Sequence, residues 1–181
     1  MRLGYVITVF LMLGCASESQ PKPNGYLRLE YPTPSYVPFT SLINFSIEYN
    51  SLSELKYINE DISRIVYPGM KATLYLNHVT VDNNLDSLLN DAYKLPYKHI
   101  SKAESIPEKI FINKRNKVYG TLFSVIGNAA SQHQFFLTDS VNHFLVGSLY
   151  FYAQPNFDSI YPAVVYLEKD IVHLMETLKW K

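Results

Sequence analysis

VYGTLFSVIGNAASQHQFFLTDSVNHFLVGSLYFY, residues 118–152, is the most strongly patterned stretch of the chain and the one whose reading decides the fold. β-branched and aromatic residues crowd three runs, 118–126, 131–138 and 143–152, and the intervening Gly127-Asn128-Ala129-Ala130 and Asp139-Ser140-Val141-Asn142 supply turn chemistry. Links this short join antiparallel neighbours, so the stretch predicts a three-stranded meander. If the second turn closes symmetrically, His143 faces Thr138 and His133 faces Ser148. In the third run Leu145, Leu149 and Phe151 share one side, and Phe144, Val146, Tyr150 and Tyr152 share the other, because strand side chains alternate. Both sides are apolar, which predicts cover on each.

Working outward, candidate cover lies on either side in the sequence. Leu85, Leu88, Leu89, Ala92 and Leu95 recur at helical spacing after Asp82-Asn83-Asn84, whose side chains suit capping, and Pro96 is expected to end or kink that helix. Ala163, Val164, Leu167, Ile171, Leu174, Met175 and Leu178 form a second apolar stripe. Asp158 or Ser159 is its expected cap, Pro162 is placed in its first turn, and it is expected to run to the C-terminus. Glu168, Lys169, Asp170, His173 and Glu176 are assigned off the stripe.

Further strands are expected at Phe45 to Tyr49, with one wet face, at Ile62 to Tyr67, and at Met70 to Val79. The last two form a hairpin through Pro68-Gly69. Ile110 to Ile112 is expected to be a strand leading to a solvated basic tip, Lys114-Arg115-Asn116-Lys117. Tyr26 to Phe39 interleaves aromatics with Pro32, Pro34 and Pro38 and is expected to be extended, with Tyr26, Leu27, Tyr31 and Phe39 lying over the core. The sum is an α+β domain over residues 26–181, an antiparallel sheet of about six or seven strands with helices on both faces.

The N-terminus reads differently. Arg2 precedes an apolar run from Leu3 to Leu13, too short to span a bilayer, so residues 1–14 are a signal peptide. Cys15, the single cysteine, follows directly and has no internal disulfide partner. Its setting, Met12-Leu13-Gly14-Cys15, resembles a lipobox, which makes Cys15 the expected lipidation site and acyl chains on it the expected membrane anchor. Residues 15–25 are polar and rich in Ser and Pro, a tether. Glu18 is the tether's single acid, too few for an acidic surface-export signal, so the expected location is a membrane-anchored, periplasm-facing one.

The chain holds 16 basic and 16 acidic residues, scattered, which gives no electrostatic reason to expect nucleic acid. No nucleophile elbow, phosphate-binding glycine loop or zinc-binding His motif occurs, and the five histidines, at 78, 99, 133, 143 and 173, lack metal-ligand spacing. The reading is therefore a protein without catalytic residues, cofactor or metal. Asn128 and Asp139, in the two meander turns, are the candidate partner contacts, set against the ordinary habit of Asn and Asp to bond their own turn.

The segments GYLRLEYP (25–32), VYGTLFSVIGNAASQHQFFLTDS (118–140), HFLVGSLYF (143–151) and DIVHLMETLKWK (170–181) resemble the gliding-motility lipoprotein GldD family of the Bacteroidota. The resemblance implies a membrane-anchored, non-enzymatic component of the gliding apparatus, linked to type IX secretion and working among other envelope proteins. The order of elements is also similar to the PsbP and Mog1 fold, an α/β/α sandwich whose members generally bind proteins. Two alternatives stand beside this reading. One is a periplasmic module for a small ligand or glycan, with a pocket lined by Tyr119, Phe123 and Tyr150. The other is an enzyme of unrecognised class, which the absence of any cleft with converging His, Asp or Ser groups would argue against.

Overall fold

In a computed structural model of the chain, residues 29–41, 44–153 and 156–181 are described. The expected signal peptide, Cys15, the tether, Tyr26 and Leu27 lie outside them. The meander forms as expected: β8 (Val118–Ser124), β10 (Ser131–Thr138) and β11 (His143–Phe151) pair antiparallel in that order. The hairpin of β4 (Ile62–Tyr67) and β5 (Ala72–Thr80) also forms and joins the meander through β11, with Ala72 opposite Phe151 and Thr80 opposite His143. Adding β3 (Glu54–Tyr57) at one edge and β7 (Glu108–Asn113) at the other gives seven antiparallel strands, ordered β3-β4-β5-β11-β10-β8-β7. The architecture is α+β.

Two details of the meander depart from expectation. The first predicted run breaks at Val125, whose N–H bonds the Gln132 carbonyl at 2.7 Å, and Ile126–Gly127 becomes β9, paired with β6 (Ala103–Ser105). Gly127 has φ +132°, and a Cβ there would sit 2.5 Å from the Lys102 carbonyl oxygen, so the turn requires glycine. The register is also one residue off the symmetric guess: Thr138 faces Phe144 and His133 faces Leu149. Asp139 N–H bonds the His143 carbonyl, which leaves a three-residue tip at Ser140, Val141 and Asn142, and a bulge at Gln132 shifts the register again between Ser131 and His133.

β11 shows how the core is divided. Leu145 and Leu149 are fully buried in a cluster with Phe135, Leu137, Leu74, Leu76 and the helix residues Leu167, Ile171, Leu174 and Met175. Their neighbours Phe144 and Val146 pack instead with Phe123, Phe136, Ala92, Leu88 and Leu89. The helices are α1 (Leu85–Tyr97) and α2 (Phe157–Thr177), each matching its expected stripe. A second, three-stranded sheet of β1 (Tyr36–Thr40), β2 (Phe45–Asn50) and β12 (Lys179–Trp180) buries Phe45 and Ile47 against the α2 cluster. Phe39 packs there too, and the Tyr31 ring lies 5.0 Å from Tyr166, so the proline-rich segment covers the domain's own core.

The helix ends differ from expectation for local reasons. Asn84 sits at the N-cap of α1 but makes no capping bond, because its Oδ1 accepts from Asp82 N–H at 2.9 Å. Pro96 lies inside α1, next to its last residue, and the helix closes through i→i+3 bonds from Lys98 and His99. Asn156, rather than Asp158 or Ser159, caps α2, and Pro162 stands beyond the first turn, leaving the Asp158 carbonyl without its helical donor. Nor does α2 reach the C-terminus: Lys179 and Trp180 leave it to pair with β2. Asp170 is 4% exposed and belongs to the buried side of α2.

Candidate functional site

The candidate contacts in the meander turns behave unlike each other. Asp139 Oδ1 accepts the N–H groups of Val141, Asn142 and His143 at 2.8–2.9 Å, so its carboxylate is committed to its own turn. Partial burial pushes its pKa up, but these N–H bonds prevail and hold it below the ordinary value. Asn128 reaches across to the Phe157 N–H at 2.8 Å and so anchors the start of α2.

The sequence reading missed a histidine pair. His143 and His78 lie on adjacent strands, offset by one diagonal step, since His78 faces Leu145. His78 Nε2 and His143 Nδ1 are 3.1 Å apart, and His78 Nδ1 is 3.3 Å from Asp61 Oδ1, which also accepts from Asn44 Nδ2. Trp180 stacks on His143 with the rings within 5° of parallel, and the Trp180 Nε1–H donates to the Lys117 carbonyl. Burial holds the His78 pKa below its ordinary value against the upward pull of Asp61. The result is a carboxylate–imidazole–imidazole chain ending at the part-exposed His143. It fixes ring orientation at this end of the sheet. Among the described residues no group of three or more His, Cys, Asp or Glu stands close enough to hold a metal ion.

A groove of about 340 Å³ lies between α2 and the far ends of β8 and β10. Ser124, Gln132 and His133 line it with Pro107, Val125, Phe157, Val164 and Glu168. The bulge explains why two successive residues, Gln132 and His133, face one groove. His133 Nε2 is 3.3 Å from the Val164 carbonyl, an acceptor, so this nitrogen carries the proton and Nδ1 accepts from the Ser124 hydroxyl at 3.2 Å. Burial keeps His133 neutral by lowering its pKa, which suits that arrangement. Gln132 donates to the Gly127 and Ala129 carbonyls, while its Oε1, buried, has no partner among the described residues. Chemically the groove offers a serine hydroxyl polarised by an imidazole, and a residue of its wall, Gln132, keeps a buried acceptor without a partner among the described residues. Converging Ser and His groups are thus present, so the sign expected to dismiss an enzyme is not met.

The proposed Tyr119–Phe123–Tyr150 pocket does not exist as such. Tyr119 is level with Thr138 and Phe144, whereas Tyr150 lies six residues further along β11, about 20 Å away at the rise of a strand. Phe123 is fully buried, its ring packed edge-on to Tyr93.

Among the described residues no helix is long and apolar enough to cross a membrane. Comparison with curated proteins finds no match. The family model for the gliding motility lipoprotein GldD matches residues 16–180, which takes in every described strand and both described helices, and the chain therefore belongs to the gliding motility lipoprotein GldD family.

Proposed function

We propose that this chain is a lipid-anchored, non-enzymatic accessory component of the gliding machinery, linked to type IX secretion, that acts by docking on other envelope proteins. Family membership across residues 16–180 carries the reading. The match opens at residue 16, next to the Cys15 that a lipobox peptidase, cutting before it, would leave as the mature N-terminus. In this reading residues 1–14 are removed, acyl chains on Cys15 hold the chain in the membrane, residues 15–25 are a tether, and 26–181 form one domain facing the periplasm. That domain is an α/β/α sandwich of the PsbP and Mog1 kind. The support is that adjacent residues of β11, Phe144 and Leu145, enter different core clusters, one holding Ala92 of α1 and the other Leu167 of α2. Contacts at the turns around Asn128 and Asp139 belong to the same proposal. They would be made by backbone and by exposed neighbours such as Val141, since both named side chains are already bonded.

The test is complementation of a strain lacking the gene. Full-length chain restores colony spreading, and Cys15→Ala, found in soluble fractions, restores it poorly. Normal spreading without the gene refutes the proposal. The His133 groove favours a second reading, a module for a small ligand or glycan, because Gln132, one of its lining residues, holds a buried acceptor that no described residue meets. Ligand-dependent thermal shifts across glycans and metabolites, lost in Gln132→Leu, separate the two.

A further inference from the structure

The two edges of the seven-stranded sheet are built differently. At one edge β3 is four residues long and carries the Glu54–Lys56 ion pair at 3.4 Å, both devices that discourage further pairing. At the other, β7 is six residues long and among the described residues pairs with β8 alone. Its phase follows from one bond: Ser124 N–H donates to the Pro107 carbonyl at 3.0 Å, so Lys109, Phe111 and Asn113 exchange bonds with β8. The N–H and C=O groups of Glu108, Ile110 and Ile112 therefore point away from the sheet.

The side chains at this edge are as unusual as its backbone. Ile110 is 76% exposed and Ile112 61%, on the side of the sheet where Tyr93 of α1 contacts Thr121, the residue opposite Ile110. On the other side Lys109 lines two grooves along α2, with Val165 and Glu168 common to both. An added strand would therefore place alternate side chains beside the two isoleucines and in the α2 groove. The strand leads into Lys114, Arg115 and Lys117, none of which makes an ion pair among the described residues.

We propose that the β7 edge is a strand-addition site for an extended segment of a partner protein, apolar at alternate positions and acidic where it passes Lys114, Arg115 and Lys117. Main-chain bonds to Ile110 and Ile112 supply the pairing, the isoleucines supply apolar cross-strand contacts, and the basic tip selects the acidic end. The inference rests on the reading that this domain works by docking on envelope proteins.

The experiment places a photo-crosslinking amino acid at Ile112 of the full chain in cells, with Tyr57 at the β3 edge as the control position, and maps the crosslinked peptide. A partner segment with alternating apolar residues and flanking acids, captured at 112 and not at 57, supports the site. Ile110→Pro removes an outward donor without touching the β7–β8 ladder and abolishes the crosslink. Ile110→Lys does the same, with thermal melting confirming that each variant is folded. Capture of a second copy of this chain, capture of its own residues, or no capture from a chain that sustains spreading overturns the site. So does a crosslink unchanged by Ile110→Pro. Loss of spreading on gene deletion is unaffected by those results, so failure of the edge and failure of the motility role are distinguishable.

Discussion

Replacing Asp170 with leucine is expected to detach the three-stranded sheet from α2. Asp170 Oδ2 accepts from Asn50 Nδ2 at 2.8 Å and Oδ1 from the Tyr36 hydroxyl at 2.9 Å, so one carboxylate binds the end of β2 and the start of β1 to the helix. At 4% exposure it has little access to water. Leucine leaves the Tyr36 hydroxyl and one Asn50 N–H without their acceptor, the other Asn50 N–H staying on the Tyr166 hydroxyl, at about 1–3 kcal/mol each, and about 3–4 kcal/mol is expected in total. For a domain of this size that is a melting point lower by roughly 10 °C. Asparagine behaves otherwise. Burial raises the Asp170 pKa despite the bonds from Asn50 and Tyr36, which means the fold prefers a neutral group there. Asp170→Asn can accept from Asn50 and donate to the Tyr36 oxygen, so its cost at neutral pH is expected to stay under about 1 kcal/mol. The sign with pH follows. A raised folded pKa makes the native state bind the proton more tightly, so the Asp170 contribution grows as pH falls toward the ordinary carboxylate value of 3.8, and Asp170→Asn lacks that gain. Urea unfolding of the domain followed by fluorescence of Trp180, the single tryptophan, measures both. A leucine variant that loses less than about 1 kcal/mol would refute the reasoning.

Gly127→Ala should cost about 2–3 kcal/mol, because φ +132° is strained for any side chain and the new Cβ meets the Lys102 carbonyl; a lowered urea midpoint checks it. The buried, neutral His78 and His133 have lowered pKa values, so the unfolded chain binds more protons as pH falls below 6.5 and stability is lost there, by up to about 1.4 kcal/mol per pH unit for each. His78→Gln combined with His133→Gln should flatten the stability profile between neutrality and mild acid, seen in urea midpoints across pH. Cys15→Ala should shift the chain from membrane to soluble fractions and abolish incorporation of labelled palmitate.

The central sheet was legible because its signals are local. The period of two in His143 to Tyr152 and the Asp139 to Asn142 turn needed no tertiary knowledge, and the apolar stripes of both helices were equally plain. What escaped depends on pairing between distant segments. Nothing near His78 announces His143; the diagonal contact exists because β5 docks on β11 in one particular register. Asp170 was misplaced for a related reason. A helical face does not reveal that Tyr36 and Asn50, more than a hundred residues earlier, arrive to satisfy a carboxylate on its buried side. The bulge that turns Gln132 beside His133 left only a faint trace, a polar Ser-Gln-His-Gln run in a strand otherwise apolar. The edge position of β7 was unreadable for the same reason, although Ile110 and Ile112 hinted at it: an isolated strand does not say which side will be left unpaired.

The most direct test of the account is single-cell displacement on glass by a strain lacking the gene, before and after the full-length chain is supplied again. No directed movement is expected without the chain, and recovery with it. Cells that glide at the parental speed without the chain would contradict it.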